Sequence, residues 1–198
     1  MKKVEKILIP ISIISLGLNI LLIPYGGVLT VLTFSTLSTL YFYFGFALFN
    51  DIRLRKIFKK DSYKNISSLK ILGAIGAGLA LSMTTIGLMF KFQSWPGADF
   101  NLIVGLSGMF IVTSVAIIRY TQNKSDYYTK ILKRMAIFGS LGIIVFLIPK
   151  TSWNKFEYRN YPDYVNAINN SIADPENKEL QEKAEEERQN MYNKQGNE

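Results

Sequence analysis

The sequence predicts an all-α, polytopic membrane bundle, and three observations carry that prediction. Apolar runs of about 20 residues recur before Pro149, the length needed to cross roughly 30 Å of hydrocarbon at 1.5 Å per residue. Basic residues gather in the segments between those runs rather than within them. The last 49 residues, 150–198, are polar. Residues 1–149 hold 16 Lys/Arg against five Asp/Glu, a balance of +11, whereas residues 150–198 hold seven against ten, a balance of −3. The net charge of +8 is therefore read as membrane orientation and not as a nucleic-acid surface. Two units are expected: a transmembrane bundle over 1–149 and an extracytoplasmic, polar helical tail over 150–198.

Five spans are expected, at 7–25, 28–49, 71–92, 100–118 and 131–149. The first follows Lys2, Lys3 and Lys6, which would also suit a cleaved signal. No small-residue cleavage motif follows, and "PYGG" leads straight into the next apolar run, so a retained span is preferred. Pro24 is placed to stop that helix, and Gly26-Gly27 to make the turn. The second span carries Thr30, Thr33, Ser35, Thr36, Ser38 and Thr39, a face suited to bonding a neighbouring helix or lining a cavity. Its last turns, Tyr41–Phe46, read as an interfacial aromatic belt or, more sharply, a ligand cage.

The loop 50–70 is strongly basic. Arg53, Arg55, Lys56, Lys59 and Lys60 are assigned to lipid headgroups, since basic residues beside a membrane are drawn to anionic lipid. The third span has overlapping small-residue pairs at i and i+4: Gly73/Ala77, Ala74/Gly78 and Gly76/Ala80. Such spacing lets backbones approach closely where no hydrophobic effect drives helices together. Gly73, Gly76, Ala77 and Ala80, with Gly105 and Gly108 on the fourth span, are the expected helix-packing residues.

Between the third and fourth spans lies the hinge "FKFQSWPGAD". Lys91 is expected to end the third helix and snorkel to headgroups, and Trp95 to sit in the interface. Pro96-Gly97 suits the centre of a type II turn, with φ > 0 at Gly97. Asp99 is placed to cap the fourth helix and to pair with Lys91. Lys133 and Arg134 fall in the first turn of the fifth span and are expected to turn outward.

With the N-terminus inside, 15 basic residues fall on inner segments and Lys91 alone on an outer loop, which predicts a cytoplasmic N-terminus and an outside C-terminus. In the tail, Val165, Ile168 and Ile172 have helical spacing. Asp174 and Pro175 are expected to start a further helix with a thin stripe of Leu180, Ala184 and Met191, solvated rather than docked, and 193–198 should fray.

The chemistry available is narrow. With no His and no Cys, thiolate and imidazole metal sites and Ser-His-Asp or Cys catalysis are excluded, and no cofactor is expected. No ionisable residue lies in the middle of an apolar run, which argues against a proton-driven machine. An intramembrane enzyme would need Ser/Lys or Tyr chemistry. "GAIGAGLA" opens no strand–turn–helix, so it is no nucleotide loop. The N-x-S sequons at Asn65 and Asn169 matter only in a glycosylating compartment.

The stretch "LMFKFQSWPGADFNLIVGL" resembles the "FK(x)3(W/F)PG(x)" helical hairpin of a group of Bacteroidota envelope proteins. That group includes the L subunit of the gliding-motility/type IX secretion motor. The tail "YPDYVNAINNSIADPENKELQEKAEEER" is similar to acidic tails of such proteins. The resemblance covers 71–118 and implies a turn facing the periplasm. In that subunit the second span carries a glutamate implicated in proton-driven work. The matching position here lies near Met109, and 100–118 has no acid, so motor activity is not implied.

The expected function is that of a non-enzymatic, multi-pass protein of the cell inner membrane. It would serve as a structural or assembly subunit of an envelope complex. Its partners would be membrane lipid and either another protein or a second copy of itself, with no nucleic acid. The alternative is a small-molecule or lipid-binding/transport protein that uses the Thr/Ser face of the second span.

Overall fold

The computed structural model describes residues 1–195, which are helical with no strand among them. It divides into two compact units, Met1–Leu147 and Ile148–Glu198. In the first unit the helices are α1 (Lys2–Ile20), α2 (Gly26–Phe49), α3 (Ser68–Phe92), α4 (Ala98–Gln122) and α5 (Asp126–Phe146). In the second they are α6 (Lys150–Glu157), α7 (Pro162–Ala173) and α8 (Lys178–Gln195).

Three helices, α2, α3 and α4, are each long and apolar enough to cross a membrane. A fourth qualifies only when α5 is taken together with α6. Large apolar side chains cover the outside of the first unit: Ile13, Ile14, Phe110, Ile111 and Ile144 are each more than 60% exposed. A water-facing surface rarely carries so continuous an apolar patch.

α1 is apolar outside and polar inside. Its inward residues are Met1, Glu5, Leu8, Ser12, Ser15 and Asn19, a seven-residue repeat, while Ile7, Ile11, Ile13 and Ile14 face out. That arrangement suits lipid outside and hydrogen-bonding partners inside. α1 begins five residues before the expected 7–25 span and ends five before it. The early start follows from Glu5, which is drawn into the bundle.

The stop at Ile20 has a specific geometry. Leu22 takes a left-handed φ of 56°, and the Leu22 and Ile23 amides close back onto the Asn19 and Leu18 carbonyls. This is a Schellman stop made without glycine. Pro24 then leads a type II turn whose left-handed residue is Tyr25, φ 66°. The turn expected at Gly26-Gly27 thus lies two residues earlier, at Pro24-Tyr25. Gly26 opens α2 because a Cβ there would sit 2.6 Å from the Asn19 nitrogen.

The hinge between α3 and α4 repeats the same device. Ser94 is left-handed at φ 50°, the Trp95 amide bonds the Phe90 carbonyl at 2.8 Å, and Pro96 precedes a left-handed Gly97 at φ 83°. Two helical hairpins, α1–α2 and α3–α4, therefore close through one turn geometry, with sequences "LIPYG" and "SWPGA". α2 starts at Gly26 rather than Val28, and α3 starts at Ser68, where the Ser67 hydroxyl accepts from the Lys70 amide. α4 runs past the expected 100–118 at both ends, and α5 starts at Asp126 behind a Ser125 cap.

α3 is the central helix and touches α2, α4 and α5. Its small residues admit neighbouring backbones. A Cβ on Gly45 would lie 2.8 Å from the Gly78 Cα, and one on Gly87 would lie 2.8 Å from the Leu102 nitrogen. Ala74, Ala77 and Leu81 are fully buried in this seam, beside Tyr41, Leu48 and Phe49 of α2.

In the second unit, α7 is a full 12-residue helix with Pro162 in its first turn, longer than the turn or two expected. α8 starts at Lys178, not at Pro175. The Asn177 side chain accepts from the Glu179 and Leu180 amides at 3.1 and 3.3 Å, which makes Asn177 the cap in place of Asp174. Residues 174–177 are then free to turn the chain back. α8 is not solvated all round: Ala184 and Met191 are buried, and its end lies beside the start of α7 around Tyr164. The fraying expected over 193–198 is not seen at Asn193–Gln195, which continue α8, and residues 196–198 lie outside the described residues.

Substituting Gly78→Ala should lower the thermal midpoint of the purified protein, at a cost of about 1–3 kcal/mol, because its Cβ would meet the Tyr41 carbonyl backbone. Gly76→Ala should be near neutral, since its nearest neighbour, Val112, would be at an ordinary 3.7 Å. Equal midpoints for the two variants would show that the α2–α3 seam is not set by close backbone approach.

Candidate functional site: a buried carboxylate–guanidinium pair

The most unusual chemistry lies where the polar face of α1 meets α5. Glu5 is 4% exposed. Arg134 grips it with two donors: Nε to Oε1 at 2.6 Å, and a terminal guanidinium nitrogen to Oε2. The Tyr41 hydroxyl, fully buried on α2, donates to Glu5 Oε1 at 3.1 Å. Another Arg134 nitrogen donates to the Lys130 carbonyl at 3.0 Å, and the guanidinium stands 5.2 Å from the Phe49 ring centroid. Phe138 meets the Tyr41 ring edge-on at 5.5 Å. A bidentate pair of this kind satisfies both partners and removes their net charge, which is the condition for holding ions away from water.

A second network lies nearer the surface, close to the same helix ends. Asp51 receives Lys2 at 2.5 Å and Lys130 at 2.6 Å, and Lys130 also reaches Asp126 at 3.4 Å. Partial burial alone would raise the Asp51 carboxyl. The hydrogen bonds and charges of Lys130 and Lys2 outweigh it and hold the group below its ordinary value. Asp51 therefore stays ionised through neutral pH, and this clasp loosens only in strong acid.

The polar face of α1 continues away from this end. Ser15 Oγ and Thr33 Oγ1 are 2.8 Å apart, and Asn19 donates to the Phe92 carbonyl at 3.1 Å. Between α2 and α3, the Ser38 and Ser82 hydroxyls are 2.7 Å apart. Ser12 Oγ is buried without a hydrogen-bond partner among the described residues.

These contacts correct several expectations. Lys133 faces outward, but Arg134 turns inward because Glu5 offers a buried counter-charge. The charged groups do not merely flank the bundle. Lys91 does not snorkel either: it is 5% exposed and donates to Asp99 Oδ1 at 2.8 Å. Asp99 pairs with it as expected but does not cap α4, whose N-cap is Gly97. Asp99 lies in the first turn of that helix, where negative charge is favoured. Trp95 is 42% exposed and packs edge-on to Phe90. Pro96-Gly97 forms the expected turn.

The aromatic run Tyr41–Phe46 divides, with Tyr41 in the core and Phe42 and Tyr43 outside. It forms no cage. Thr36 bonds back to the Leu32 carbonyl at 2.7 Å, Thr30 to Gly26 at 2.9 Å and Thr33 to Leu29 at 2.9 Å, so these hydroxyls spend themselves within the bundle.

Of the expected packing residues, Ala77 and Ala80 are buried, and Gly105 lies against Thr84. Gly108 faces the Ala80 Cβ, with 3.2 Å available to a Cβ of its own. Gly73 faces the Tyr127 hydroxyl and Gly76 faces Val112. Gly78 is approached most closely by the Tyr41 carbonyl, with Gly45 beside it, 3.1 Å from where a Gly78 Cβ would lie. Arg53, Arg55, Lys56, Lys59 and Lys60 are all exposed, around a fully exposed Phe58. In the second unit, Asn169 is tied to Asn154 at 3.1 Å and to the Thr151 carbonyl at 3.3 Å. Burial raises the Tyr164 hydroxyl above its ordinary value.

Glu5 was missed because it stands among Lys2, Lys3 and Lys6 ahead of the expected span, and Ser12, Ser15 and Asn19 because each looks ordinary in an apolar run. The signal was present as spacing: Glu5, Ser12, Ser15 and Asn19 fall on one side of a helix.

Comparison with protein-family models, curated proteins and solved structures finds no match.

Glu5→Gln should lower the thermal midpoint at a cost of about 3 kcal/mol, because it leaves the Arg134 charge buried and unpaired. The double variant Glu5→Leu/Arg134→Met should recover most of that loss, since an apolar pair needs no compensation. A double variant as unstable as the sum of its singles would show that the pair does not act as a unit.

Proposed function

We propose that this chain is a five-span protein of the cell inner membrane that works as a structural or assembly subunit of an envelope complex, without catalysis. The observation that carries the reading is the inverted polarity of the first unit. Glu5–Arg134, Tyr41–Glu5, Ser15–Thr33 and Ser38–Ser82 bond across helices inside the unit, while many large apolar side chains face out. Hydroxyls, amides and ion pairs placed in this way lock helices together.

Five spans are favoured over three or four for a physical reason. α1 and α5, at about 28 and 31 Å, are long enough to cross. Their first turns carry charge: Lys3, Lys6 and Lys133 face out, and three more charged residues turn inward, Glu5, Lys130 and Arg134. Each of these is neutralised by a partner, so its cost in lipid is much smaller than for a free charge. The basic segments then belong in the cytoplasm, where Arg53, Arg55, Lys56, Lys59 and Lys60 meet anionic headgroups, and the acidic second unit lies outside. The likeness of the α3–α4 hairpin to Bacteroidota envelope proteins accords with an envelope complex. A motor role is not proposed, since the position near the implicated glutamate is the buried Met109. The small-molecule alternative is weakened by the hydroxyls of Thr30, Thr33 and Thr36, which are already engaged.

Affinity purification of the chain from its own membranes in mild detergent should yield a stoichiometric partner or a second copy; recovery of monomer alone would end the assembly reading. For orientation, the absence of native cysteine is an advantage. Asn170→Cys, at an exposed position, should react with an impermeant thiol reagent in cells with a permeabilised outer layer. Protection there until the inner membrane is lysed would reverse the proposed orientation.

A further inference from the structure

We propose that the cleft between α3, α4 and α5 seats an acyl chain of one anionic phospholipid, with the lipid phosphate on Arg119. The cleft has a volume of about 360 Å³ and its walls are almost wholly apolar, from Leu72, Val112, Val115 and Ile131. Gly73 and Gly76 also line it and bring no side chain of their own. The exposed Arg119 and the half-buried Tyr128 also line it, beside a buried Tyr127 whose hydroxyl donates to the Lys70 carbonyl at 2.6 Å. Lys70 is close by, its Nζ 5.7 Å from the Tyr127 ring centroid. An apolar slot that ends in cations and phenols matches a lipid in outline, tail inside and headgroup at the rim.

Charge bookkeeping selects an anionic lipid over other occupants. The five acids among residues 1–149 are all engaged: Glu5 by Arg134, Asp51 by Lys2 and Lys130, Asp61 by Lys64, Asp99 by Lys91, and Asp126 by Lys130. Arg119 is exposed, its guanidinium makes a long 3.5 Å contact to the Gln122 side chain, and no acid pairs with it among the described residues. The first unit of a second copy would bring apolar surface to the cleft but no unengaged acid for Arg119. A zwitterionic lipid would fill the slot and bring a phosphate together with a compensating cation. A phosphatidylglycerol headgroup supplies net negative charge at the end of the apolar run, the depth at which Arg119 closes α4.

This inference rests on the membrane reading above, and its test separates the two. The 198-residue chain is purified in mild detergent and offered phosphatidylglycerol or phosphatidylcholine of matched acyl chains. Retained lipid is counted by native mass spectrometry. One phosphatidylglycerol per chain should be held, in clear preference to phosphatidylcholine. Arg119→Gln should weaken its retention about fivefold, the effect of one basic residue at a headgroup. Val115→Trp, at a half-exposed wall position, should abolish it by filling the slot. Changing Arg53, Arg55 and Lys56 together to Gln should leave that single bound lipid in place. Equal retention of both lipids, or retention unchanged in Arg119→Gln, overturns the proposal. So does loss of lipid in the triple loop variant with retention in Arg119→Gln, which would put the site at the loop. A dimer that Val115→Trp converts to monomer, with lipid binding unaltered, would assign the cleft to a second copy and likewise overturn it. A chain recovered outside the membrane fraction would instead remove the membrane reading itself.

Discussion

Arg134 can face the inside of the helical bundle only because Glu5 meets it there. The guanidinium sits two turns into α5, and without a counter-charge it would have to bend back toward water. Glu5 supplies that charge from the first turn of α1, 129 residues away in sequence. The pair thereby fixes the position of α1, a helix with little apolar surface to bury on its inner side. Tyr41 on α2 completes the cluster and ties the first hairpin to the fifth helix. Lys2, Asp51 and Lys130 repeat the connection nearer the surface. The start of the chain, the end of α2 and the start of α5 are thus held together by charge.

The middle of the bundle is held differently. There α3 meets α2 at Gly45 and Gly78, and meets α4 at Gly87 and Gly105, with backbones close enough that a methyl group would intrude. Packing of this kind needs no net burial of apolar area, and it suits helices whose outer surface is already apolar. Hydroxyl contacts such as Ser38–Ser82 add direction to the seam. Both hairpins close with the same Schellman stop, proline and left-handed residue, so helix entry and exit angles are set locally before the helices pack. In the second unit, side-chain amides do similar work: Asn177 caps α8, and the Asn154–Asn169 pair joins α6 to α7.

Once each acid of residues 1–149 is engaged, eleven of the sixteen cations there have no carboxylate partner among the described residues, equal to the formal excess of +11. The surplus is concentrated in the 53–70 segment and around Arg119–Lys133. A membrane surface rich in anionic lipid can balance such an excess, which links the internal pairing to how the protein meets its surroundings.

The sequence by itself determined the helical class, the existence and approximate extent of α1 to α5, the basic segments and the Pro96–Gly97 turn. These follow from local quantities: run length, charge next to an apolar run, and the φ that glycine tolerates. It also pointed to α3 as the close-packing helix, through Ala77 and Ala80. Tertiary structure decided the rest. Whether Arg134 turns out or in depends on Glu5, and whether Lys91 is buried depends on Asp99. Tyr41 belongs to the core while its neighbours Phe42 and Tyr43 face out, a distinction that composition cannot make. Gly78 is a point of close approach on α3 because the Tyr41 carbonyl and Gly45 lie opposite it. Leu22, Ser94 and Tyr25 adopt left-handed backbone that nothing in their side chains announces; the flanking prolines and packed helices impose it. Pairings across more than a hundred residues leave only a faint trace in sequence, here the seven-residue spacing of polar residues on α1, because their energy exists only once the helices have met.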